Sequence, residues 1–204
     1  MKNLINFKSI PIHSLGLAGL LLFATSCSEN KTVDSREAAE KENIARLATD
    51  DRTAVVIDND SDAQFLMDAA EMQHKEIRLG QLAQQKGNAA HVKELGKMME
   101  DDHSKAFSEL QTLAQSKSIA IPTSATEDSM DTYGDLNDKT GNDFDKSYSD
   151  LMVEHHEDAI ELYENAVSDS EDANIRAWAS EKLPGLRTHL RHAEESRDKS
   201  DNRD

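Results

Sequence analysis

Apolar residues recur at intervals of three and four residues in four stretches of the chain, which is the spacing of amphipathic helices. The stretches cover residues 61–86, 89–117, about 142–168 and 171–196. No stretch combines the two-residue alternation of a strand with a content of β-branched residues. The pattern therefore predicts an all-α protein.

The connections between these helices differ in length. Gly87-Asn88 and the segment 168–170 are short, so the first two and the last two helices should form antiparallel hairpins. Residues 118–141 are a longer connection, with room for a short helix, that can cross the length of a bundle. Two hairpins joined by one long crossover are the ferritin-like form of a four-helix bundle. An up-down bundle with a flexible loop is the alternative topology.

The start of the chain has the order of a secretory signal peptide. Lys2 and Lys8 precede an apolar run over 15–23, and small residues then lead to Cys27. The run is too short for a membrane-spanning helix, which needs ~20 residues. It resembles the signal of bacterial lipoproteins, in which cleavage precedes a lipidated cysteine, although Ala24 stands where leucine is usual. An ordinary secretory signal with a chance cysteine is the alternative.

This interpretation divides the chain into four parts. We expect a signal peptide over 1–26, an acidic tether over 27–60 with a short helix inside it, a helical domain over 61–196 and a disordered polar tail over 197–204. Cys27 would attach the exported protein by lipid to the bacterial cell envelope. The outer membrane, with the domain facing the periplasm, is the favoured location, and the inner membrane or the cell surface is the alternative. A protein partner, if there is one, would then belong to the envelope.

Composition removes several classes of function. Cys27 is the only cysteine, so the folded part has no disulfide, thiolate metal site or cysteine nucleophile. The formal charge is −17, and loss of Lys2 and Lys8 with the signal peptide would make it −19. A polyanion of this kind is repelled by nucleic acid and by anionic membrane surfaces. No nucleophile elbow, phosphate loop or dinucleotide fingerprint is present, and we expect no enzyme of those types.

Polar residues that interrupt the apolar seams are the candidate chemistry. One or more such residues occur on each predicted helix, and Glu100 adds a Glu-x-x-His pair to the second helix. Counting residues from the turns puts most of them near one level and His189 a turn or more away. The predicted metal ligands are Glu76, Glu100, His103, His155, His156 and His189.

Iron, copper or zinc would suit such a layer. Met72, Met99 and Met152 lie four residues before Glu76, His103 and His156, which fits either copper(I) ligation or core packing. A di-iron site would need Glu-x-x-His twice, whereas the fourth helix has leucine three residues before its histidine. A metal-free hydrogen-bonded layer that fixes the pairing of the helices is the alternative.

Four segments that contain these residues resemble the family called domain of unknown function 4142. They are residues 75–83, 98–106, 152–159 and 183–190, and the resemblance extends over about 61–195. It implies a ferritin-like bundle in exported bacterial proteins and no established activity. It also implies recurrent polar positions, which fall here on Glu76, Asp102, His103, His156 and His189, with His155 where aspartate is frequent.

Three functions are compatible with these observations. The first is an envelope-anchored lipoprotein that binds a transition metal. The second is a structural or interaction module without a metal. The third, and the least favoured by the motif, is a di-iron or copper oxidoreductase.

Overall fold

The computed structural model of the protein describes residues 34–49 and 61–202, and all regular secondary structure in these residues is α-helical. The predicted signal peptide and Cys27 lie outside the described residues. The prediction of an all-α protein is confirmed. The helices are α1 (Ser35–Thr49), α2 (Ser61–Lys86), α3 (Ala90–Ser116), α4 (Glu127–Asn137), α5 (Gly141–Asp169) and α6 (Ala173–Asp201).

Helices α2, α3, α5 and α6 form a ferritin-like bundle. Helix α2 packs along α3 and α5 packs along α6, each pair joined by a short turn, and α4 lies within the long connection between the two hairpins. The bounds of α2 and α3 agree with the predicted ones to within one residue. None of the described helices has both the length and the apolar character needed to cross a bilayer.

Helices α2 and α3 approach each other closely at two glycines. A Cβ atom added to Gly80 would lie 2.6 Å from the backbone carbonyl oxygen of Gly96, and one added to Gly96 would lie 2.7 Å from the carbonyl oxygen of Gly80. Side chains at these positions would therefore force the backbones apart. The close approach fixes how α2 is rotated against α3 and so which of its side chains face the interior.

Helix α1 packs on the bundle, so the prediction of a tether over 27–60 is wrong for this segment. Asn43 is buried, donates to the carbonyl oxygen of Ala120 at 2.9 Å and accepts from the amide of Ala120 at 2.6 Å. Arg36 pairs with Glu71 at 3.0 Å and with Asp68 at 2.7 Å. The helix is amphipathic through small and polar residues, which an assessment of large apolar residues alone does not detect.

Helix α6 also extends beyond the predicted domain. It continues to Asp201, and Ser196 and Ser200 on its inner face are buried. The prediction of a disordered tail from residue 197 is therefore wrong as far as the helix runs. Helix α6 also passes through Pro184 without ending there.

The apolar core consists of two clusters separated by a polar layer. One cluster contains Phe65 and Leu110, the other contains Val92 and Met152, and every bundle helix contributes to both. The residues between the clusters are buried and polar: Gln73, Glu76, His103, His156 and His189. Burying polar groups in the middle of a core costs free energy unless they are paired, so this layer is the feature that packing alone does not account for.

Candidate metal centre

Three imidazole rings meet at the centre of the polar layer. His103 on α3, His156 on α5 and His189 on α6 are at most 5% exposed. Their ring centroids are 5.2–5.5 Å apart. One ring nitrogen of each histidine lies within 4.8 Å of one nitrogen of each of the others. Within the described part of the chain, no other group of histidine, cysteine, aspartate or glutamate side chains meets this criterion.

His103 and His156 each have the Nδ1 atom of the ring at hydrogen-bond distance from an oxygen atom. His103 Nδ1 lies 2.7 Å from Gln73 Oε1, and His156 Nδ1 lies 2.7 Å from the carbonyl oxygen of Met152. Both partners are acceptors, so each Nδ1 donates a proton. The Nε2 atom of each neutral ring is then left with a free lone pair.

His189 is held in the same manner through its other nitrogen. Its Nε2 lies 2.9 Å from Asp102 Oδ2, and its Nδ1 is buried and has no hydrogen-bond partner. A carboxylate accepts, so Nε2 donates, and in the neutral ring Nδ1 carries the lone pair. An imidazole that donates its outer N–H to a carboxylate or carbonyl and presents its other nitrogen to the interior is the usual state of a metal-binding histidine.

The separation of the free nitrogens fits a shared cation. His103 Nε2 and His156 Nε2 are 3.4 Å apart, and with both Nδ1 atoms protonated there is no hydrogen between them. Two ligand nitrogens at ~2.0–2.1 Å from a tetrahedral ion are about 3.3–3.4 Å apart. Two opposed lone pairs repel each other unless a positive charge lies between them.

Burial keeps the rings of His103 and His156 neutral. It lowers the pKa of His103 to about 3, although the nearby Glu76 carboxylate opposes the shift. Burial lowers the pKa of His156 as well, again against the effect of Glu76. Both imidazoles are therefore neutral at physiological pH, which is the form that binds metals.

Glu76 and His155, two predicted ligands, lie beside the three-histidine cluster as a pair. Glu76 Oε1 accepts from His155 Nδ1 at 2.6 Å, while Glu76 Oε2 is buried without a hydrogen-bond partner. Burial by itself would raise the pKa of Glu76, but the hydrogen bond and charge of His155, with smaller contributions from His156 and His103, bring it to about 2. The pair therefore keeps a carboxylate charge close to the imidazoles.

Glu100, the remaining predicted ligand, does not join the cluster. Its carboxylate accepts hydrogen bonds from Gln81 at 2.8 Å and from Gln84 at 2.6 Å, both on α2. Residues three apart on a helix differ by about 60° around its axis. That angle directs His103 inward and leaves Glu100 at the edge of the α2–α3 contact.

The level predicted for His189 was also wrong. It lies 16 residues after the start of α6, and His156 lies 13 residues before the end of α5, so the two differ by three residues. The prediction counted the residues of the last helix from the turn at 168–170, whereas α6 begins at Ala173. The count for His189 was therefore too large by about three residues. A difference of three residues corresponds to ~4.5 Å along the helix axis, and the side chains of His156 and His189 are long enough to bridge it.

Gln73 is the residue of the layer that the sequence analysis missed. Its amide accepts from His103 and donates to the Tyr163 hydroxyl at 3.0 Å, so it connects the cluster to the adjoining apolar half. It follows Ala69 by four residues and precedes Glu76 by three, which is the spacing of the α2 seam. A search of the seams for amides as well as ionisable groups would have identified it.

The described residues thus define an all-α, ferritin-like bundle with three buried histidines that could hold a metal ion. The chain belongs to the family described as domain of unknown function (DUF4142), which matches residues 38–195 and so includes most of α1. The crystal structure of a DUF305 fragment from Deinococcus radiodurans is similar in fold, with a TM-score of 0.60 at 12% identity over 69% of this chain and 97% of that one. No curated protein matches the chain.

Proposed function

We propose that the protein is an envelope-anchored lipoprotein that binds one transition-metal ion between His103, His156 and His189. One observation supports this above all others. One ring nitrogen of each buried histidine lies within 4.8 Å of one nitrogen of each of the others, and each ring is also oriented by a hydrogen bond to an oxygen of Gln73, Met152 or Asp102.

The donor set favours zinc, copper or iron. Imidazole nitrogen suits these ions, whereas magnesium and calcium prefer oxygen ligands. The carboxylate of Glu76 lies close enough to lower the electrostatic cost of a buried cation. The thioethers of Met99 and Met152 are fully buried in one apolar cluster, where packing accounts for them.

A ferritin-type di-iron centre is not favoured. Such a centre draws on carboxylates from several helices together with two Glu-x-x-His pairs. The three histidines here form a group without a carboxylate, and Glu100 is bound by glutamines of α2. We therefore do not propose an oxidase activity.

A metal-free polar layer is the second candidate. It is favoured by the amide of Gln73, which could bond to His103 and Tyr163 in either of its two orientations. If that amide were rotated by half a turn, it would donate to His103 Nδ1, and His103 Nε2 would then carry a proton toward His156. Two observations count against this arrangement. The distance of 3.4 Å between His103 Nε2 and His156 Nε2 is long for a hydrogen bond, and His189 Nδ1 would still have no partner.

Metal titration separates the two candidates. Tag-free protein stripped of metal is titrated with Zn²⁺ by isothermal calorimetry, with Cu⁺ and Fe²⁺ compared in competition assays. We expect one ion per chain, and a loss of affinity in His156→Gln of roughly a hundredfold or more, beyond the 10–100-fold effect of outer-shell partners. His192→Gln, which changes a half-buried histidine of α6 outside the cluster, is the matched control and should bind as the native protein does.

Stability gives a second measure of the same site. At a free Zn²⁺ concentration 100 times the Kd, binding should stabilise the native protein by about 2.7 kcal/mol. The double variant His103→Leu with His156→Leu should gain nothing from zinc. A native protein that neither binds nor is stabilised by any of the three ions would leave the metal-free layer as the better account.

The lipid anchor needs its own test, since Cys27 lies outside the described residues. Cells that express the full chain are labelled with an alkyne fatty acid, and the membrane fraction is examined for labelled protein. Labelling and membrane association should both be lost in Cys27→Ser. Equal labelling of the variant would refute attachment at this cysteine.

A further inference from the structure

Glu76 places a buried carboxylate oxygen that lacks a partner beside the histidine cluster. The residue is 1% exposed, and its Oε1 atom accepts from His155 Nδ1 at 2.6 Å. Its Oε2 atom is buried and has no hydrogen-bond partner among the described residues. The pKa of the carboxyl group is about 2, so the group is ionised at physiological pH. A buried charged oxygen without a donor is costly, and a cation beside it would remove that cost.

Two contacts place this carboxylate next to His103 and His156. Gln73, which precedes Glu76 by about one turn of α2, lies 2.7 Å from His103 Nδ1. His155, which holds Glu76 Oε1, directly precedes His156 on α5. The charge of Glu76 accordingly opposes the lowering of the pKa of both His103 and His156. The carboxylate therefore borders the two rings whose Nε2 atoms are 3.4 Å apart.

Helix α2 is the one bundle helix that contributes no ligand to the proposed three-histidine site. The histidines come from α3, α5 and α6, and Glu76 is the buried carboxylate that α2 contributes to the polar layer. Zinc and related ions take four ligands in a tetrahedron and accept carboxylate oxygen alongside imidazole nitrogen. A ligand from α2 would complete such a shell with one residue from each bundle helix.

The cluster has to contract when an ion binds, and Glu76 is free to join that contraction. Glu76 is not part of the group whose ligand atoms lie within 4.8 Å of one another. The ligand atoms of a tetrahedral ion with bonds of ~2.0–2.1 Å are about 3.3–3.4 Å apart, so the ligands move together on binding. The Oε2 atom of Glu76 has no hydrogen bond to lose when it moves to the ion, whereas Oε1 is held by His155.

We propose that Glu76 Oε2 is the fourth ligand of the ion, so that the site is a closed shell that holds a divalent cation and leaves no position for a substrate. The inference rests on the proposed three-histidine site and deepens it by naming the class of ion and what the site does with it. Neutral imidazoles compensate none of the charge of the ion, so a carboxylate in the shell lowers the electrostatic cost of burying a divalent cation. Closed four-ligand sites hold their ion, whereas catalytic sites keep one position open. The step is coordination alone: the carboxylate donates a lone pair, and nothing is oxidised or reduced.

The experiment uses the full chain and Co²⁺, whose visible spectrum reports the ligands of the ion. The native protein, Glu76→Gln and Glu100→Gln are titrated with Co²⁺ and then with azide. In Glu76→Gln the affinity should fall roughly a hundredfold or more, beyond the 10–100-fold effect of outer-shell partners, and azide should change the spectrum by taking the opened position. Glu100→Gln is the matched control, because Glu100 is bound by Gln81 and Gln84 outside the cluster. It should bind Co²⁺ as the native protein does, with a spectrum that azide leaves unchanged in both.

Glu76→Asp separates a ligand from a nearby charge and also serves if Glu76→Gln does not fold. The shorter side chain keeps the negative charge but withdraws the oxygen atoms from the ion. If Glu76 is a ligand, azide should change the spectrum of this variant as it does in Glu76→Gln. Native affinity and no response to azide in Glu76→Asp would show that only the charge of Glu76 matters, and would overturn the inference.

Three further outcomes would overturn the inference. Native affinity and a native spectrum in Glu76→Gln would show that Glu76 is not a ligand and would leave the three-histidine site intact. A response of the native protein to azide would show that one coordination position is open, again with the three-histidine site intact. Absence of Co²⁺ binding by the native protein would remove the three-histidine site and this inference together.

Discussion

Acidification should destabilise the metal-free protein through His103. Burial lowers the pKa of this histidine to about 3 in the folded protein, against 6.5 as its ordinary value. The unfolded chain therefore binds the proton that the folded protein excludes, and the free energy of unfolding falls as the pH drops below 6.5. The loss continues until the pH reaches the folded pKa.

The magnitude follows from these two pKa values. Between pH 7 and pH 5 the histidine in the unfolded chain becomes almost fully protonated. Since pH 5 is 1.5 units below the ordinary pKa of 6.5, the free energy of unfolding falls by about 2 kcal/mol. His156 acts in the same direction, because burial lowers its pKa too. Glu76, whose pKa is about 2, contributes mainly below its unfolded value of 4.5 and so hardly affects this range. A domain stable by ~5–15 kcal/mol remains folded at pH 5, so the change is measurable.

The assay is urea denaturation of the metal-free protein at pH 7 and pH 5, followed by circular dichroism. We expect the native protein to lose about 2 kcal/mol or more on acidification, and His103→Gln to lose about 2 kcal/mol less than the native protein. His192→Gln should show the native difference. An identical pH dependence in His103→Gln and the native protein would refute the conclusion that His103 is buried and neutral.

Three further predictions concern packing and capping. Gly80→Ala should lose about 1–3 kcal/mol of stability in thermal or urea unfolding, because its Cβ atom would meet the Gly96 backbone; an unchanged or higher stability would contradict the close helix contact. Asp145→Ala should lose roughly 2–3 kcal/mol in the same assay, because this buried carboxylate accepts from two backbone amides before α3 at 2.8 and 2.9 Å. Asn43→Ala should release α1, seen as faster proteolysis within 34–49 while the bundle stays protected.

The sequence determined the helices and their order. The three- and four-residue spacing of apolar positions is a local property of the chain, and short turns at 87–89 and 170–172 leave only an antiparallel arrangement for each hairpin. His103 and His156 could be identified for the same reason, since each interrupts an apolar seam that must face the core.

The tertiary structure alone decided which polar groups meet. Glu100 and Gln73 both lie near a seam, and the choice between them depends on the rotation of α2 against α3, which the contact between Gly80 and Gly96 sets. The level of His189 depends on the residue at which α6 begins, and a shift of three residues moves a side chain by ~4.5 Å.

Helix α1 illustrates the same limit. Ile44, its large apolar residue with a described side chain, is 60% exposed, whereas Ala39 and Asn43 are buried. Periodicity specifies which face of a helix is apolar, but the rotation and level of each helix come from contacts between residues far apart in the chain. Those contacts placed three histidines together at the centre of the bundle.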